Sequence, residues 1–588
     1  MNIDQIIWPL VEKLRGTSIQ SDERDEAGFK LAAVQEIALL SFWKIISDKD
    51  KNKQIPKLDN VINGTLDLLT AYENLSSLLD TKFEWYLNSS LPHALSNNEI
   101  VSILCEIEKI SPDGHQYIIN QLMSLSDKNG NPIWDLSIPI EISNLMVGLA
   151  KINKGSVLAP YTRSLQLAIQ ANENADSVIS QIEKRTAISD VISYANDIEV
   201  FDADLGMIPF FEKKSIRQFD HILMIPPFGR IGARQYDGKI KKNSDIENLE
   251  LMLPQCSGRM IVLMTEGFLF RSAHDYELRV KLINEGWLDA VIQLPSPILF
   301  STSIATSILV IDKTRSKDQE IVFYNANDED LVTNPGRGKA NILTGWETIL
   351  NEVLEKQDTK YCKKVTSEDI KNNKYDLLVS KYVLGKASRE IKTLINTKPL
   401  QAVAELIRGQ LLKGNTETSG NEFLEVGIRD IRDDGFIRPP SKSLYLSGKA
   451  QDRALLQRLQ PGDILLMVKG AVGKVAVVGN DCSDNWVASQ SLQVIRLKNS
   501  QLIGSEDYLY SYLSSPLVQA YLSEQITGTT VPVLKTADIK GLPVPIVSKE
   551  EQQSVIETRK QIIESYSKIN RIKRQIDTLR ESHWALSK

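Results

Sequence analysis

One string constrains this chain more than any other: FDHILMIPPFG, from Phe219 to Gly229. A short, mainly apolar run of this kind is a strand covered on both faces, as found in largely parallel sheets packed between helices. Two prolines and an aromatic close it. Such an ending makes a rigid platform at the carboxyl edge of the sheet, where open α/β folds bind ligands.

The surrounding sequence changes texture several times. At roughly 100–200 residues per domain, 588 residues give about three to five domains. From Ile6 to about Leu136 the apolar spacing is helical, as in FKLAAVQEIALLSFWKIISD. From about Ile138 to Asp312, apolar runs such as RMIVLMTEGF, LDAVIQL and TSILVID alternate with helical stretches, an α/β pattern. Asp312 to about Thr397 is charged and mixed, with one strand-like run, EIVFYNA. From Leu400 to about Pro545, β-branched residues and glycine turns dominate, as in GDILLMVKGAVGKVAVVG. Val555, Ile562, Ile563, Tyr566, Ile569, Ile572 and Ile576 then recur at three- and four-residue steps, one long amphipathic helix. The expected organisation is multidomain α and α/β. It comprises a helical domain (1–136), a Rossmann-like domain (137–330), a domain close and linker (331–397), a mixed α/β recognition domain (398–548) and a terminal helix (549–588).

Charge and composition narrow the chemistry. Lys and Arg total 69 against 75 Asp and Glu, a net charge of −6, so nucleic-acid contact has to be local rather than a global basic footprint. Cys105, Cys256, Cys362 and Cys482 are far apart, and His93, His115, His221, His274 and His583 cluster with nothing, which predicts neither a metal site nor a disulfide framework. The first apolar stretch, MNIDQIIWPLVEKLRG, carries charges, and no run of about 18 uncharged apolar residues occurs, so a cytoplasmic protein without membrane contact is expected. There is no GxxxxGK(S/T) loop and no nuclease-like carboxylate cluster.

FDHILMIPPFG resembles the NPPF motif of amino-methylating DNA methyltransferases, in which an Asn or Asp and a proline carbonyl accept hydrogen bonds from the target amino group while the aromatic stacks on a flipped adenine. WPLVEKLRG with LLSFWKIISD resembles the helical domain of type I restriction-enzyme modification subunits. EGFLFRSAHDYELRVKLINEGWLDAVIQLPSPILFSTSIATSILVIDK, including Arg279 and Lys281, is similar to that family's region after the catalytic motif. The resemblance covers about residues 1–330 and implies a methyltransferase fold.

The motifs depart from the family where chemistry would occur. The family's Asp-Pro-x-x-Gly-Ser-Gly cofactor loop is matched by Ala159, Pro160, Tyr161, Thr162, Arg163, Ser164 and Leu165, without the Asp or either glycine. Its Tyr-Thr-Pro corresponds to Ser137, Ile138 and Pro139. Ile225 stands at the motif's Asn and has no atom to accept a hydrogen bond from adenine N6. Pro226, Pro227 and Phe228 either pack the strand end or leave Phe228 to stack on a base. Asp202 and Asp204 match a strand-end acid facing the cofactor adenine or lie on a solvated loop; Glu183 is a weaker match to the ribose-binding acid. The resemblance therefore implies an inactive methyltransferase-like domain with no cofactor, S-adenosylmethionine belonging only to an alternative in which an unusual adenine-N6 methyltransferase remains active.

LQPGDILLMVKGAVGKVAVVG, WVASQSLQVIRLK and the stretch from YLYSYLSSPLVQAYLSEQ to KEEQQSVI resemble the target-recognition domain and spacer-helix start of type I specificity subunits, one half where two are typical. The resemblance implies duplex DNA as partner. Lys469 and Lys474, beside glycines and backbone N–H groups, suit phosphate. Arg408, Gln410, Lys413, Arg429, Arg432, Gln490 and Lys535 are further candidate contacts; Thr529 and Thr530 are candidates within a segment that otherwise folds as a structural turn. Each is otherwise a solvated surface residue. The terminal helix packs on its own chain or pairs with a second copy, the latter implied by the family's paired spacer helices; Arg571, Lys573 and Arg574 are otherwise an exposed face. The expected function is site-specific duplex binding within a restriction-like or defence system, with a separate nuclease, translocase or ATPase as effector; a protein-interaction scaffold is the other alternative.

Overall fold

The computed structural model describes residues 3–15, 26–51, 54–78, 95–109, 114–122, 138–160, 165–182, 187–202, 211–212, 215–228, 244–299, 302, 304–336, 339–413, 420–498, 502–526 and 532–583. The chain divides into two units, residues 1–383 and 384–588. No described helix is long and apolar enough to cross a membrane.

The first unit begins with helices, among them Glu26–Lys49 and Asn97–Glu108. Ser96 and Glu99 close a reciprocal capping box on the latter, satisfying amides that the helix start leaves without partners. Phe42 and Trp43 are buried, and the Trp43 indole donates to the Pro56 carbonyl at 2.8 Å. Their core continues under one face of a sheet.

That sheet has nine strands: β1 (Ser156–Ala159), β2 (Ser177–Ile182), β3 (Glu199–Asp202), β6 (Phe219–Met224), β7 (Cys256–Thr265), β8 (Leu288–Gln293), β9 (Thr306–Asp312), β10 (Ile321–Asn325) and β11 (Cys362–Val365). A separate short hairpin, β4 (Phe211–Glu212) with β5 (Ser215–Ile216), precedes β6. The spatial order is β11-β10-β8-β9-β7-β6-β1-β2-β3. β7, β6, β1, β2 and β3 run parallel, whereas β9 is antiparallel to both β7 and β8. The order reverses between β1 and β6, which opens a crevice at their carboxyl ends. Along β7, Ile261 and Leu263 face one core while Met260, Val262 and Met264 face the other, so the strand is apolar throughout. Within the stretch read as domain close and linker, β11 forms the sheet's edge and Leu377 to Val383 close the second core.

At the amino ends of β7 and β8, Arg259 joins Asp312 of antiparallel β9 and Asp289 at 2.9 Å each, and Lys356 reaches Asp289 at 2.8 Å. Burial would raise the Asp289 carboxyl, but Lys356, Arg259 and Arg315 outweigh it and hold it below its ordinary value.

The second unit contains an antiparallel sheet ordered β13-β19-β16-β17: β13 (Ala404–Arg408), β16 (Ile464–Met467), β17 (Val475–Val477) and β19 (Leu492–Leu497). Beside it lies β15-β14-β18: β14 (Asn421–Val426), β15 (Lys442–Leu446) and β18 (Trp486–Ala488). β12 (Thr397–Pro399) pairs with β20 (Pro543–Pro545). The terminal helix, Lys549–His583, packs its first turns through Gln552, Val555, Ile556 and Arg559. Further along, Ile562, Ile569, Ile572, Ile576 and Leu579 are exposed.

Candidate active site and candidate nucleic-acid interface

At the carboxyl edge of the first unit, β1 pairs with β6 through Val157–His221 and Leu158–Ile222. Carried forward, this register brings Ala159 and Pro160 alongside the approach to Ile225. Ala159 and Pro160 are buried, and Ser180 Oγ donates to the Ala159 carbonyl at 3.0 Å. Leu165 begins the next helix at φ +52°, a left-handed conformation that costs a non-glycine residue about 1–2 kcal/mol. Its side chain is 1% exposed within the core, and burial of that size is worth about 1.5–3 kcal/mol, enough to offset the strain. The backbone at Leu165 thus takes a conformation that favours glycine, while its leucine side chain packs into the core. Ile225 and Phe228 are half-buried against that same core, and Pro226 is buried.

Ile138 is half-buried and Pro139 sits at the N-cap of the helix Ile140–Ala150. Asp202 ends β3 opposite Ile182. Ser137, Tyr161, Thr162, Arg163, Ser164, Glu183 and Asp204 lie outside the described residues.

The neighbouring strand ends carry polar groups that sequence reasoning passed over. Glu266 follows β7, accepts a 2.8 Å hydrogen bond from Gln293 at the end of β8, and is pushed above its ordinary value by burial. Thr265 Oγ1 donates to buried Asp245 at 3.1 Å and accepts from Arg271 at 3.0 Å. The signal was an acid closing the apolar run RMIVLMTEGF.

In the second unit, register brings five strand ends to one edge. Arg408 pairs with Gln493 and Met467 with Leu492, so β13 and β16 both end where β19 begins; Val426 pairs with Ala488, adding β14 and β18. The Gly409 amide reaches Leu492 O at 3.0 Å, Ser489 N reaches Val426 O at 3.0 Å, and Leu534 N reaches Val468 O at 2.9 Å. Gly409 has to be glycine because a Cβ would lie 1.9 Å from Ser489 O. Buried Gln457, also missed from sequence, clamps the turn: its Oε1 accepts from Gln410 N at 2.7 Å and its Nε2 donates to Ala488 O at 3.0 Å.

This edge gathers Arg408, Gln410, Arg429, Lys469, Lys474, Gln490 and Lys535 on adjoining loops; all are exposed except Arg408 and Lys469, which are half-buried. The expected phosphate-binding backbone does not hold at three positions. The amides of Gly470, Val472 and Gly473 donate to the carbonyls of Pro532, Gly470 and Met467, so the lysine ammonium groups remain to make contacts. Arg432 is placed elsewhere: it pairs with Asp434 on a turn bonded through Gly435 O to Val477 N, at the far end of β17. Lys413 is exposed beyond Leu412, which enters a separate small core with Phe423 and Leu446. Thr529 and Thr530 lie outside the described residues.

Residues 196–391 match the N-6 DNA methylase family, and residues 392–578 match the type I restriction modification DNA specificity domain. The chain is 34% identical over 321 residues to the type I restriction enzyme MpnII methylase subunit of Mycoplasma pneumoniae, covering 47% of this chain and 58% of that protein. It is 24% identical over 218 residues to the type I restriction enzyme EcoBI specificity subunit of Escherichia coli, covering 37% and 42%. The chain thus spans about half the length of these curated relatives. The crystal structure of the type IIG restriction endonuclease BpuSI shares the fold, with a TM-score of 0.51 at 12% identity over 94% of this chain and 74% of that one. Residues 196–578 thus carry an N-6 DNA methylase match followed directly by a type I restriction-modification specificity match.

Proposed function

We propose that this protein reads a duplex DNA site through the loop edge of its second unit and that its methylase domain no longer transfers methyl groups. The observation that carries the reading is the convergence of five strand ends on one edge with cationic and amide side chains at its loops. Rigid strands hold the loops in place, and charged tips contact phosphates while amides meet base edges. Selection of bound sequences from a random duplex library tests it. Affinity for every duplex no tighter than the nonspecific range of about 10⁻⁴–10⁻⁶ M at physiological salt sinks it.

The first unit's edge does not fit S-adenosylmethionine among the described residues. Ala159 brings a methyl where the family has a carboxylate, Leu165 fills a glycine's place, and Ile225 offers no acceptor. Calorimetric titration of the cofactor should give no heat. A ligand-binding edge is the second reading, carried by buried Gln181 at the end of β2, whose Oε1 has no hydrogen-bond partner among the described residues; micromolar binding of the cofactor would favour it.

The protein is placed in the cytoplasm, working with a separate nuclease, translocase or ATPase. A second copy covers the terminal helix. Ile562, Ile569 and Ile576 recur every seven residues, with Ile572 and Leu579 between and beyond them, the seam of a two-helix coiled coil. Antiparallel pairing layers Ile569 on Ile572 and sets Lys568 against Gln575, whereas parallel pairing sets Lys568 against Lys573. Sedimentation should give a dimer that Ile569→Asp dissociates; a wild-type monomer at micromolar concentration removes this part of the reading.

A further inference from the structure

Away from the loop edge, the turn around Arg432 and the terminal helix form an open cleft of about 360 Å³, lined by Arg432, Asp433, Asp434, Arg438, Asn570 and Arg574, among others. Its walls are fixed before any ligand arrives. Asp434 is buried, accepts from Phe436 N at 3.1 Å and pairs with Arg432. Gly435, at φ +79°, lets the turn approach Tyr510, whose hydroxyl would lie 2.0 Å from an added Cβ. Arg559, 3% exposed, pins helix to turn, with its guanidinium carbon 4.0 Å from the Tyr510 ring centroid and 5.3 Å from that of Phe436.

Two cations in this cavity are differently placed. Arg438 and Arg574 are exposed, and neither makes a side-chain hydrogen bond or ion pair among the described residues. Asn570 lies four residues before Arg574, on the same face of the helix. We propose that this cleft binds a phosphate group between the Arg438 and Arg574 guanidinium forks, with the Asn570 amide as a further donor. Paired guanidinium groups match phosphate bidentately, and Arg432, held by Asp434, shapes the wall without competing for the ligand. Asp433 lines the same cavity and opposes anion entry.

The phosphate has two possible sources: a small free anion, or the backbone of a bound duplex, the latter resting on the duplex reading above. The test uses the full chain, inorganic pyrophosphate by calorimetry, and a duplex of about three helical turns by anisotropy across a salt series. Arg438→Gln combined with Arg574→Gln should weaken pyrophosphate at least about tenfold, while Asp433→Asn should tighten it several-fold. If the duplex backbone is the source, the double variant also lowers the salt slope by about 2; an unchanged duplex slope with lost pyrophosphate binding assigns the site to a free anion. Lys469→Gln with Lys474→Gln separates the two readings, since it strikes the loop edge and leaves pyrophosphate binding intact. No pyrophosphate binding together with an unchanged duplex slope overturns the proposal, as does an Asp433→Asn protein that binds no tighter than wild type. Asp433, Arg438 and Arg574 are exposed, so unchanged thermal melting of these variants verifies folding.

Discussion

The carboxyl edge of the first unit and the loop edge of the second are built alike: buried strands end together and deliver loops to one place. They differ in what stands at the ends. Ala159, Leu165, Ile225 and Phe228 turn toward their own core, whereas Arg408, Gln410, Lys469 and Gln490 leave theirs. At the second edge the amides of Gly470, Val472 and Gly473 are already satisfied internally, so the lysine side chains beside them are what remains for a partner. The same architecture therefore turns its side chains into the core at one edge and leaves them outside it at the other, and only the residues at the strand ends distinguish them.

The largest effect should come from beneath the first edge. Asp289→Ala leaves Arg259, Arg315 and Lys356 without their shared carboxylate in a buried place, a loss of about 3–5 kcal/mol. Calorimetric melting should show a transition at markedly lower temperature. Melting indistinguishable from wild type would mean that water or rearrangement compensates the cluster, and that the first sheet is less rigid than its packing implies.

Acid should also act on the first unit. His115 is buried beside Ser41, and desolvation, with Lys44 nearby, lowers its imidazole to about 4 from 6.5. Between those values the unfolded chain holds a proton that the fold does not, so stability is full above about pH 6.5 and falls as pH drops, by about 1.4 kcal/mol per unit and about 3 kcal/mol in all. The carboxyls of Glu266 and Asp275, raised by burial, push the other way over the acid end of the range. Comparing wild type with His115→Gln isolates the imidazole. Equal pH slopes of the unfolding free energy would remove the assignment.

What the sequence made legible follows from which signals are local. FDHILMI and RMIVLMTEGF reveal buried strands because apolar runs report two covered faces, and the terminal helix shows in its three- and four-residue steps. The β9 reversal between β7 and β8 was not legible, since TSILVID reads the same in either direction. Nor could sequence separate Arg432 from Lys469: both are loop cations, and only the pairing of Val477 with the Gly435 carbonyl sends one to the far end of β17. Gln457 was hidden because an amide that clamps backbone looks, in sequence, like any polar helix residue.

A moderate effect should distinguish the two edges directly. Lys469→Gln with Lys474→Gln should weaken duplex binding about tenfold and lower its salt slope by about 2. Phe228→Ala should leave duplex affinity unchanged, because its ring already packs against the core. Loss of about 1–3 kcal/mol on Phe228→Ala, the worth of a base–aromatic stack, would instead place an extruded base at the first edge.

The smallest expected effect sharpens the comparison most. Ile225→Asn returns a hydrogen-bond acceptor to the end of β6 without touching the β1 loop. Were Ile225 the sole obstacle, labelled methyl groups from S-adenosylmethionine would appear in DNA. We expect none if, as proposed, the β1 end is closed to the cofactor, since Leu165 packs into the core and Ala159 presents only a methyl there, so an acceptor for adenine N6 alone restores nothing. The two losses lie on adjacent strands but serve different ligands, so repairing one cannot compensate the other. Methyl transfer by the single variant would show that the β1 end still admits the cofactor, and that the contrast between the two edges rests on one side chain rather than on the closure of a whole strand end.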